Sequence, residues 1–159
     1  VSVNRIVASV DPALSLISNC SVTMVSNAVY ERFLLPFDDY LAERLQPFGI
    51  HHCGADMEHV IEGYRKVRDV ALFDVGWGSD VARCRAGLPG FFSLRLSPVR
   101  VAECSGDAVQ QDVEGLLRQA GDLTRAGVCC INMDSDTPDE NVRAIFQVVD
   151  DYRRSLQHA

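Results

Sequence analysis

Val70-Ala71-Leu72-Phe73-Asp74-Val75-Gly76 is a near-continuous apolar run closed by a glycine. Apolar side chains at successive positions leave neither strand face for water, so the run reads as a strand of a parallel sheet buried on both sides. Parallel neighbours need a crossover, which places a helix before and after it. Upstream, Asp56 opens DMEHVIEGYRKV, whose acidic first turn and basic last turn suit a helix dipole. Downstream, Ser79-Asp80 starts a short helix through Arg85, and Phe91-Phe92-Ser93-Leu94-Arg95-Leu96-Ser97 is a further strand closed by Pro98.

The rhythm continues in both directions. Asp107 to Leu123 carries the helical stripe Val109, Val113, Leu116, Leu117 and Ala120. Val128 to Met133 is a strand. Thr137-Pro138-Asp139-Glu140 starts a helix running to about Ser155, with threonine as N-cap, proline in the first turn and a glutamate three residues after the cap. Toward the N-terminus, Phe48 to Cys53 reads as a strand. Ser26 to Leu45 is helical in period, with Val29, Phe33, Phe37 and Leu41 spaced by four and a break expected at Pro36. Ala13 to Ile17 is one more expected strand, ending at Ser18-Asn19-Cys20. Strands alternating with helices predict an α/β fold, the C-terminal half of a (β/α)8 TIM-type barrel, with residues 1–159 as one partial barrel domain.

Composition agrees with a globular chain. Of 159 residues, 47% are hydrophobic and 23% charged, enough for one sizeable core. The net charge of −7 excludes nucleic acid and anionic membrane surfaces as expected partners. No apolar run approaches the roughly 20 residues that span a bilayer, and no signal-type segment opens the chain, so a cytoplasmic location is expected. The chain is too large and too well supplied with apolar residues to require a disulfide framework, so the six cysteines are expected as reduced thiols. The first residue, Val1, is not methionine, which favours a chain truncated at its N-terminus.

In such a barrel the working residues sit at the C-terminal ends of the strands. His51 and Cys53 lie at one end, and strand alternation points them to the same face with His52 opposite. Imidazole and thiolate two residues apart form a claw for a soft metal such as zinc. Asp74, Arg95 and one of Cys129 and Cys130 lie at the following strand ends. Arg95 reads either as holding a substrate carboxylate or sulfonate through its planar fork or as one member of a surface ion pair. Asp80 is expected to cap the helix it begins, and Trp77 to cover the pocket.

The succession GIHHCG, FDVGWGSDV, a strand running into SPV, and a cysteine strand followed by TPDENVRAI resembles the C-terminal half of the uroporphyrinogen decarboxylase superfamily over residues 12–150. The His-x-Cys with a cysteine far downstream resembles that superfamily's zinc-dependent methyltransferases, which pass methyl groups between corrinoid proteins and thiols such as coenzyme M. The resemblance implies Zn2+ held by His51, Cys53 and Cys130, the last 77 residues after Cys53, with Asp74 as an acidic fourth ligand or supporting partner. Counting back from Thr137-Pro138 instead lands on Ile131, which cannot ligate. Only one of the adjacent pair can face the barrel axis, which leaves Cys129 as the alternative. The implied partners are a small thiol or methylated substrate, a corrinoid protein as methyl donor, and the missing N-terminal half or a second chain to complete the barrel. Two other readings remain. A metal-free decarboxylase-type lyase needs a large basic cleft, toward which only Arg95 and Arg100 stand. Alternatively, the chain is an incomplete half-barrel, a fragment or subunit without activity of its own.

Overall fold

The computed structural model describes residues 13–157, and Val1 lies outside them. Five strands form one sheet: β1 (Ser15–Ser18), β2 (Phe48–His51), β3 (Val70–Val75), β4 (Phe91–Leu96) and β5 (Ala126–Cys130). Every pair is parallel and the spatial order is the sequence order. Right-handed crossovers that always step the same way put every helix on the same side of the sheet. That is the arc of a half TIM-type barrel, with an outer helix-covered face and an inner face. Within the described residues β1 and β5 each keep one unpaired edge.

The outer face holds the core. Phe48, Ile50, Phe73, Val75, Phe92, Leu94, Val128 and Cys130 belong to one buried cluster with helix side chains. Helix α6 (Gly106–Ala120) contributes Val109, Val113, Leu117 and Ala120, and α7 (Asp139–Gln157) contributes Ala144, Ile145 and Val148. Burying each large apolar side chain contributes about 1.5–3 kcal/mol. Helix α4 (Val81–Gly87) starts where expected, with the Asp80 carboxylate accepting from the Arg83 amide. No helix of the described residues is long and apolar enough to cross a membrane.

Three elements differ from the sequence reading. The break near Pro36 separates α1 (Asn27–Phe33) from α2 (Leu35–Arg44), and of the expected stripe Val29, Phe33 and Phe37 are exposed while Leu41 packs against the core. The buried positions are Tyr30, Asp38 and Ala42, because the Tyr30 hydroxyl and the Asn19 amide both donate to Asp38 Oδ2 at 2.7 Å and satisfy that carboxylate inside. Burial holds Asp38 above the usual carboxylate range. The helix expected from Asp56 shrinks to a 3-10 turn, Glu58–Val60, followed by the single turn of α3 (Ile61–Tyr64). Pro98 does more than close β4: with Ser97 as N-cap it starts α5 (Pro98–Glu103).

His52 belongs to the outer face, as alternation requires, and is fully buried. Its Nε2–H donates to the Asp56 carbonyl at 2.7 Å, so Nδ1 is left to accept from the Tyr64 hydroxyl at 2.9 Å. A second ring proton would break the Tyr64 bond. Burial depresses the His52 pKa to about 4, below its unfolded value near 6.5. The unfolded chain therefore takes up a proton that the folded chain refuses. Stability is full above about pH 6.5 and falls as pH drops toward 4, by at most about 3 kcal/mol. Denaturant unfolding at pH 7 and pH 4.5 should show this loss, and a His52→Asn variant, weaker at pH 7, should lose less on acidification.

Candidate metal centre

The register places side chains in rows across the inner face. Ser18, His51, Asp74, Ser93 and Gly127 are successive partners from β1 to β5. Two residues further along each chain come Cys20, Cys53, Gly76, Arg95 and Cys129, of which Arg95 and Cys129 are themselves register partners. Side chains two apart along a strand share a face. Histidine, carboxylate, guanidinium and thiols thus meet at the C-terminal mouth of the half-barrel.

Asp74 is the hub. Its Oδ2 is hydrogen-bonded to His51 Nδ1 and its Oδ1 accepts from the Cys129 thiol at 3.5 Å. Ser93 Oγ donates to Cys129 Sγ at 3.0 Å. The Arg95 Nε lies 4.0 Å from Asp74 Oδ1 and has no hydrogen-bond partner, while Nη2 donates to the Gly54 carbonyl at 2.5 Å. Arg95 is only 1% exposed, an uncommon burial for a guanidinium and one that depends on the Asp74 charge. Its plane faces Trp77, whose ring centroid is 5.0 Å away. Trp77, Arg95, Ser97 and Arg100 line a cavity of about 270 Å³, but the Arg100 guanidinium is taken up by Asp112 at 2.7 Å.

The loop after β2 folds over this hub. A Cβ at Gly76 would lie 2.3 Å from the carbonyl oxygens of Gly54 and Ala55, so only glycine lets the two backbones pass this closely. Gly78 N–H donates to the Ala55 carbonyl at 2.7 Å and fixes the crossing. Cys53 stands at the exposed start of that loop, near enough to Cys20 for each thiol to affect the other's acidity. Partial burial and then the Cys20 contact raise the Cys53 pKa, whereas a hydrogen bond from Ser18 and the Cys53 contact lower that of Cys20.

Of the two adjacent cysteines, Cys129 faces the hub. Cys130, expected as the third ligand, is on the outer face within the core cluster, its Sγ 3.8 Å from the Leu96 carbonyl. Burial pushes its pKa up to about 11. The physical reason is the pleat: pairing Arg95 with Cys129 turns the next residue to the helices. Burial first and the Asp74 charge second raise the Cys129 pKa. Sequence reasoning passed over Ser93 and Cys20. The signal for Cys20 was there: Ser18-x-Cys20 repeats, at the neighbouring strand end, the spacing of His51-x-Cys53.

As the side chains stand, no three His, Cys, Asp or Glu groups among the described residues are arranged to hold a metal ion, and Asp74 engages both His51 and Cys129. The donor chemistry nevertheless fits zinc: one imidazole and thiols from separate strand ends. A carboxylate at His51 Nδ1 is the usual outer partner of a metal-binding histidine, orienting the ring and leaving Nε2 for the ion.

No protein-family model matches the chain, and no curated protein matches it in sequence. The fold is similar to that of a methyltransferase from Methanosarcina mazei, with a TM-score of 0.72 and 14% identity over 88% of this chain. The chain spans 42% of the length of that structure, and at this identity the likeness is one of fold.

Proposed function

We propose that this chain is the metal-bearing half of a zinc-dependent methyltransferase of the uroporphyrinogen decarboxylase type, activating a small thiol to accept a methyl group from a corrinoid protein. The observation that carries the reading is the convergence of His51, Asp74 and Cys129 on the inner face, with Cys53 at its rim. His51, Cys53 and Cys129 hold the ion, and bound zinc supplies the acidity that keeps the acceptor thiol as a thiolate near neutral pH. Asp74 is a positioning residue that orients His51 and balances Arg95. Arg95, which borders the cavity with Trp77 and Ser97, is the residue placed to face an anionic end of the substrate. The fold likeness to a methyltransferase supports the same reading. The unpaired edges of β1 and β5 are covered by a complementary half-barrel, from the same polypeptide or a second chain.

Purified protein with reduced cysteines should carry about one zinc per chain, and Cys53→Ser should lose it together with thiol methylation. Metal-free protein with native cysteines and full methyl transfer would rule the reading out.

A further inference from the structure

We propose that the cavity beside Arg95 is a specificity pocket for the substrate, that it takes a small organic anion with an apolar body, and that Gly115 keeps it open. The inference rests on the reading of Arg95 as the group that faces the substrate's anionic end, and on no metal ion.

Arg95 stands between the hub and this cavity: its Nε lies 4.0 Å from Asp74 Oδ1, and its side chain forms part of the cavity wall. The other polar groups of the wall have donors left to offer. Ser97 Oγ accepts from the Arg100 amide, which leaves its hydroxyl proton to donate. Gln119 Oε1 accepts from the Val81 amide at 3.3 Å, which leaves its NH2 group, and the Trp77 indole N–H can only donate. Asp112, the carboxylate of the lining, is taken up by two bonds from Arg100. A wall of donors selects a ligand that accepts, and a guanidinium among them selects an anionic acceptor such as a carboxylate or sulfonate. Trp77, Leu96 and Leu116 supply apolar wall, which suits a carbon body.

Gly115 lies well inside α6, where a glycine weakens the helix relative to alanine. Gln111, Gly115 and Gln119 follow one another by four and form one row on the helix face that lines the cavity. A Cβ at Gly115 would meet nothing within 4 Å. The missing side chain is therefore not needed to let another part of the fold approach, and what it preserves is room. The cavity of about 270 Å³ would hold roughly nine waters, or an organic anion of about as many heavy atoms.

Trp77 is the single tryptophan of the chain and stands in the cavity wall, so its fluorescence reports on the pocket. Titration of the 159-residue chain with benzoate, an anion of about nine heavy atoms, should change that fluorescence saturably, with a Kd on the order of 1 mM. Benzamide, of the same size and uncharged, should bind roughly tenfold more weakly. Gly115→Leu places a better helix former in the row, so its Tm should equal or exceed that of the wild type while benzoate affinity falls about tenfold or more. No saturable response to benzoate, or benzamide binding as tightly, would overturn the proposal on wild-type protein alone. Unchanged benzoate affinity in a folded Gly115→Leu variant would do the same. None of these readouts involves zinc, so each failure leaves the metal-bearing reading standing, and a chain that carries no zinc yet binds benzoate in this way would remove that reading and keep the pocket.

Discussion

Asp74→Ala should lower stability by about 3 kcal/mol, because it strands a buried guanidinium. For a chain of this length that is a fall of roughly 6–12 °C in Tm, measured by thermal unfolding. Arg95 is 1% exposed, its Nε has no partner, and Asp74 is the counter-charge 4.0 Å away. Removing one member of a buried pair costs more than replacing both, so Asp74→Leu with Arg95→Met should recover much of the lost stability. Recovery should not extend to the metal. Without the carboxylate at His51 Nδ1 the imidazole loses its orientation, and zinc affinity should fall about 10–100-fold in single and double variants alike. A double variant that regained full affinity would show that Asp74 plays no part in orienting His51.

The adjacent cysteines should behave as opposites. Cys129→Ser places a hydroxyl among Ser93 Oγ and the Asp74 carboxylate, surroundings that accept it, so the fold should survive while metal binding is lost. Cys130→Ser places the same hydroxyl in the apolar cluster between sheet and helices, at a cost of about 1–3 kcal/mol, with zinc content unchanged. Metal analysis beside urea unfolding of both variants separates the two effects. The reverse outcome, zinc lost only from Cys130→Ser, would mean that β5 pairs one residue out of the register described.

These contrasts show where the sequence was legible. Val70 to Val75 announced a strand buried on both faces because each face meets a different layer, helices outside and the polar hub inside. Asp74 interrupting that apolar run was the mark of the inner face. His51-x-Cys53 was legible by alternation, as was the outward turn of His52. Cys130 was misplaced because the spacing along the chain counts residues and not faces, and one residue of register in the loop from β4 to β5 reverses the side. The outward stripe of α1 and α2 was illegible for another reason. Periodicity finds an apolar face but cannot foresee that Tyr30 and Asn19 would satisfy Asp38 in the interior. Cys20 was passed over although Ser18-x-Cys20 repeats the spacing of His51-x-Cys53, because only the pairing of β1 with β2 brings the two repeats side by side.

The account stands or falls on a sulfur-rich zinc site at the mouth of the half-barrel. Zinc-edge X-ray absorption on the zinc-loaded, reduced chain reads that shell directly. The account predicts one ion bound by sulfur at about 2.3 Å and by an imidazole nitrogen at about 2.0–2.1 Å. A shell of oxygen and nitrogen alone, or zinc that dialyses away from fully reduced protein, would contradict it.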